Sequence, residues 1–89
     1  MIDLMKELSN EQKERMLNSP VHVECFETNF SSELTEVIET LERKRKIAAK
    51  HPNGINSVFF ENFINAFTEL ISERLMKRYL ANILYLDVS

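Results

Sequence analysis

From Asn56 to Leu86 the chain reads NSVFFENFINAFTELISERLMKRYLANILYL, a run with neither glycine nor proline. Phe60, Phe63, Ile64, Phe67, Leu70 and Ile71 recur in it at three- and four-residue steps, the period of an amphipathic helix. Glu61, Asn62, Asn65, Thr68, Glu69, Ser72 and Glu73 form the opposite, polar face. Near Arg74 the phase changes. In an unbroken helix Arg74, Arg78 and Asn82 fall on the formerly apolar side, while Leu75, Met76, Tyr79, Leu80 and Ile83 take sides that were polar. One helix cannot satisfy both stripes against a single neighbour. Either it bends near Arg74 or its C-terminal half packs on a second subunit. Three helices have too little surface to cover both stripes, so the second is expected, and with it a homo-oligomer.

Upstream, His51-Pro52-Asn53-Gly54 is a strong turn signal. Before it, Phe30, Leu34, Val37, Ile38, Leu41 and Ala48 lie near one face of a helix that starts at a cap on Ser31 or Ser32 and runs to about Lys50. Residues Pro20 to Phe26 alternate weakly through Val21, Val23 and Cys25, which allows a short extended linker. Ser9-Asn10-Glu11-Gln12 has the form of a capping box, predicting a short helix to about Asn18 that Pro20 stops. Ile2, Leu4, Met5 and Leu8 ahead of it read as an apolar anchor. The expected fold is therefore all-α: one domain over residues 1–89, with a short N-terminal helix laid across two long antiparallel helices in a helical-bundle oligomer.

A chain of 89 residues has room for one domain and gains stability from a staple or from self-association. Cys25 is the only cysteine, so no internal disulfide can form and no zinc ligand set is visible. With no secretory signal at the N-terminus, a reducing cytoplasmic setting is expected. The apolar runs are too short to cross a bilayer, so no membrane partner is expected. The net charge of -3 argues against general nucleic-acid binding.

Catalytic chemistry is not suggested by the residue pattern, and neither a cofactor nor a metal is implied. His22 and His51 stand far apart, and His51 reads as a helix C-terminal residue interacting with free carbonyls. Cys25 has no basic neighbour and reads as a small buried hydrophobe. Gly54 is alone, so there is no phosphate loop. Arg43-Lys44-Arg45-Lys46 with Lys50 follows Glu33, Glu36, Glu39 and Glu42, an order that suits the helix dipole. Glu39 with Arg43 and Glu42 with Lys46 are favourable four-residue pairs; the other reading is an anion-binding surface. Arg74 and Arg78 inside an apolar stripe need a partner, which Glu69 or Glu73 could supply, as could a ligand's phosphate or carboxylate. Lys77 lies beside them.

Leu8-Ser9, Met16 to Asn18, His51-Pro52, Ala66-Phe67-Thr68-Glu69-Leu70 and Arg74, in this order, resemble the small all-helical phage proteins that defeat CBASS immunity by sequestering cyclic oligonucleotides. That family has an aromatic residue shortly before Leu-Ser and a lysine after Met-Asn, where this chain has Met5 and the region of Pro20, so only Arg74 carries over. The resemblance implies a compact oligomer, a cyclic oligonucleotide ligand and the cytoplasm of an infected host. His51-Pro52-x-Gly54 followed by Phe59-Phe60 is also similar to the loop of colicin nuclease immunity proteins, although a long helix follows here in place of an acidic loop.

Two functions are thus expected of a non-enzymatic binding protein. In the first, an antagonist of host defence sequesters cyclic oligonucleotide signals, with Arg74, Arg78 and Lys77 as ligand-binding residues. In the second, a protein-protein inhibitor or adaptor docks on a host protein through Leu75 to Leu86.

Overall fold

The computed structural model describes Met5 and residues 7–26 and 32–86. Among them are four α-helices and no strand: α1 (Asn10–Asn18), α2 (Ser32–Lys50), α3 (Val58–Leu70) and α4 (Glu73–Leu84). The all-helical class is as expected, and the single long helix of residues 56–86 is corrected to two.

The helix starts follow from local chemistry. Ser9 Oγ accepts from the Gln12 N–H at 3.2 Å while Gln12 Oε1 accepts from the Ser9 N–H at 2.8 Å, completing the capping box of α1. The extended linker after Pro20 is in part replaced by a 3-10 turn, Val23–Phe26, which seats Cys25 and Phe26 in the core. At the α2–α3 connection Gly54 takes φ 37°, a left-handed value that a side chain would strain, and opens the 3-10 turn Gly54–Asn56. Ser57 then caps α3 through the Phe60 N–H. Of the apolar anchor, Met5 and Leu8 are buried; Ile2, Leu4, Phe30 and the cap candidate Ser31 lie outside the described residues.

The phase change near Arg74 is a helix break two residues earlier. Ile71 and Ser72 are both extended (ψ 134° and 156°); Ile71 stays buried, and Ser72 Oγ accepts from the Leu75 N–H to start α4. The break re-aims the second stripe, so Met76, Tyr79, Leu80 and Leu84 join the same core as Phe60, Phe63, Ile64 and Phe67. α4 is covered by α1 and by the Val23–Phe26 turn, with additional contact to α3. No second subunit is needed to cover this stripe, because the chain covers it itself. Rings form the centre. Phe67 lies 4.6 Å from Tyr79 and 5.3 Å from Phe63, and Tyr79 stacks on Phe26 at 5.5 Å. α2 adds Ile38, Leu41 and Ala48 from the other side. No helix among the described residues is long and apolar enough to cross a membrane.

Tyr79 is fully buried, and among the described residues its hydroxyl has no hydrogen-bond partner. An unmatched buried hydroxyl is a liability that phenylalanine of the same shape lacks. Tyr79→Phe is expected to leave urea-unfolding stability unchanged or raise it by about 1 kcal/mol. Ser72→Ala, which removes the α4 cap, should lower it by about 1 kcal/mol. A large loss for Tyr79→Phe would show that the hydroxyl is engaged after all.

Candidate functional site

The basic run of α2 divides at Arg45, which turns inward. Arg45 is 8% exposed. Its guanidinium grips the Glu42 carboxylate at two points, Nε to Oε2 at 2.9 Å and Nη2 to Oε1 at 2.5 Å, and donates from Nη1 to the Leu17 carbonyl. Glu42 Oε2 also accepts from the Val21 N–H at 2.6 Å. One ion pair thus satisfies backbone groups on both sides of Pro20, tying the end of α1 to the middle of α2. The hydrogen bond from Arg45 holds the Glu42 carboxyl below its ordinary pKa against the opposing effect of burial, and the same bond raises Arg45. At bonding distance Glu42 takes Arg45, three residues on, while Lys46, its expected four-residue partner, acts on it only through its charge.

Arg43, Lys46 and Lys50 remain outside. With Val21, Ile38 and Ile47 they line a hollow of about 500 Å³, whose lining also includes Glu39 and the already engaged Glu42. Ile47 is 47% exposed, large for an isoleucine on a packed helix. One turn further, the His51 ring sits 5.5 Å from the ring of Phe59, which is 40% exposed, and Val58 beside it is more exposed still. As expected of a residue closing α2, His51 bonds a terminal carbonyl, its backbone N–H donating to Ala48 at 3.1 Å; its ring does something else, Nδ1 accepting from the Asn53 N–H at 3.1 Å across the turn. Leu70, assigned to the apolar stripe, is half exposed at the far end of α3. Of the five large apolar side chains left exposed among the described residues, Ile47, Val58, Phe59 and Leu70 belong to α2 and α3, and Tyr85, 78% exposed, follows α4.

Arg74, Lys77 and Arg78 share the outer face of α4, opposite its buried Met76, Tyr79, Leu80 and Leu84. Arg74 and Arg78 are exposed, and Lys77 is partly covered with its Nζ 3.7 Å from a Glu73 carboxylate oxygen. The break before Glu73 moves the two arginines out of any apolar stripe, so the burial that made them conspicuous is absent. Asn82 lies partly buried and donates to the Cys25 carbonyl at 3.0 Å. At the end of α4, Tyr85 adopts a left-handed backbone (φ 56°), and the Arg15 guanidinium stands 5.1 Å from the centre of its ring.

Cys25 is buried with Sγ 3.8 Å from the Pro20 carbonyl, and burial pushes its thiol up, away from the reactive thiolate. Among the described residues no three histidine, cysteine or acidic side chains gather closely enough to hold a metal ion. Sequence reasoning missed the inward turn of Arg45 and the exposure of Phe59. The first had a legible signal, since position 45 falls on the Ile38–Leu41–Ala48 face. The second had none, because Phe59 adjoins a run of core positions.

Comparison with models of protein families, with curated proteins and with solved structures found no match.

Removing one partner of a buried pair strands the other. Arg45→Met should cost about 3 kcal/mol of unfolding free energy in urea, with α2 still helical by circular dichroism. Because the folded-state pKa of Glu42 is lowered, its contribution is complete above the ordinary glutamate value of 4.5 and is lost as pH falls through the lowered one. Wild-type stability should therefore decline on acidification below that value more steeply than that of Glu42→Gln. Parallel pH profiles would count against a specific role for this carboxylate.

Proposed function

We propose that this chain is a non-enzymatic binding protein that acts by direct contact with another protein, as an inhibitor or adaptor. The observation that carries this reading is that four of the five exposed large apolar side chains lie on the α2–α3 hairpin, where Ile47 sits among the basic residues of α2 and Phe59 meets the His51 ring. Apolar side chains exposed together, bordered by charge, are a feature of protein interfaces. The docking surface differs from the one expected at residues 75–86, whose apolar side chains are largely committed to the chain's own core.

Sequestration of a cyclic oligonucleotide is the second reading, favoured by Arg74, Lys77 and Arg78 on one outer helix face, with Tyr85 and Arg15 near its end. Such an open face would take a phosphate but does not enclose a ligand. The reading therefore requires further copies of the chain to close a pocket around it, with host-defence antagonism as the biological role.

Light scattering after size exclusion, together with calorimetry against cyclic di- and trinucleotides, separates the two. A species near 10.5 kDa that gives no heat with either ligand is the expected outcome. A larger assembly that binds one of them, and loses binding with Arg74→Ala, would establish sequestration in its place.

A further inference from the structure

We infer that the surface running from the α2 hollow across Ile47 to His51 and Phe59 is the docking face for an acidic amphipathic helix of a partner protein. This inference rests on the protein-contact reading and adds the site and the partner's chemistry. Ile47 lies in the last turn of α2, His51 is the first residue beyond that helix, and the His51 ring contacts Phe59 of α3, so exposed apolar surface is present on both sides of the α2–α3 connection. Ile47 also borders the hollow of about 500 Å³ whose apolar lining is completed by Val21 and Ile38. Exposed apolar surface beside a hollow suits the apolar stripe of a helix, whose side chains at three- and four-residue spacing can cover the one and enter the other.

Charge selects among helices. Arg43, Lys46 and Lys50 stand around this surface. Of the two carboxylates there, Glu42 is already held by Arg45 and the Val21 N–H, leaving Glu39 as the local acid. The rim is therefore cationic although the whole chain carries -3. Aspartate or glutamate flanking the partner's apolar stripe would meet this rim, whereas lysine or arginine there would be repelled. A second copy approaching through the same face would set Arg43, Lys46 and Lys50 against themselves, which disfavours self-association at this site. A nucleic acid would use the cations but leave Ile47, Val58 and Phe59 without a role.

Fluorescence anisotropy with three labelled probes tests this: a synthetic helix with a leucine stripe flanked by glutamate, the same stripe flanked by lysine, and a single-stranded oligonucleotide. The glutamate helix should bind best, and more weakly as salt is raised. Phe59→Ala, Ile47→Asp and the Lys46→Glu/Lys50→Glu pair should each weaken it about tenfold, circular dichroism verifying that the variants stay folded. The charge-reversed pair should in turn accept the lysine helix. Preference of the wild-type protein for the lysine helix, lost with Phe59→Ala, would end the acidic assignment and keep the protein-contact reading. Binding of neither helix would end both. Stronger binding of the oligonucleotide, or helix binding untouched by Phe59→Ala and Ile47→Asp, would overturn the site.

Discussion

The pair Glu42–Arg45 is the constraint around which the first half of the chain is arranged. Pro20 ends α1 and has no N–H of its own, so the backbone leaving α1 needs partners from elsewhere. Arg45 supplies a donor to Leu17 and Glu42 an acceptor to Val21, across 28 and 21 residues respectively. Because the two side chains also hold each other, neither charge is stranded when buried. With that bend fixed, the Val23–Phe26 turn delivers Phe26 against Phe67 and Tyr79, and α4 acquires the surface it lies on.

How much of this was legible depended on whether the signal was local. Ser9 with Gln12, Pro20 and the His51–Gly54 turn act within a few residues of themselves, and each marks a boundary that the structure places close to its expected position. Ser72 is also a cap, but an apolar stripe running through Ile71 masked it, and the change of phase looked like a second interface. The stripe continued because Ile71 is buried even though its backbone is extended. Arg45 was hidden for a different reason. Four basic residues in a row suggest a solvated face, and only the positions of Ile38, Leu41 and Ala48 show that one of them must point inward. For the candidate surface, the exposure of Phe59 depends on how α3 is rotated against α2, a tertiary property with no counterpart in residue order.

The division of the basic run also shapes the surface chemistry. Arg45 draws Glu42 inward and uses its charge inside the fold, so the outer face of α2 near Lys46 keeps less acid than the sequence count implies. A mildly acidic protein thereby presents a locally cationic rim around apolar side chains. On α4 the same economy is absent: Glu73 lies beside Lys77, and the outer face there is more nearly balanced.

The contact of Asn82 with Cys25 spans 57 residues, and Arg15 meets Tyr85 across almost the whole described chain. α1 and α4, the first and last helices, are neighbours, so the polypeptide closes on itself like a ring with a small gap. Closing such a ring is entropically expensive and comes before the aromatic centre can form, because Tyr79 arrives on the last helix. The α2–α3 hairpin, whose partners are close in sequence, can assemble without that closure. The proposed docking surface is thus carried largely by the most locally encoded part of the molecule, and α1 and α4 act as its clasp.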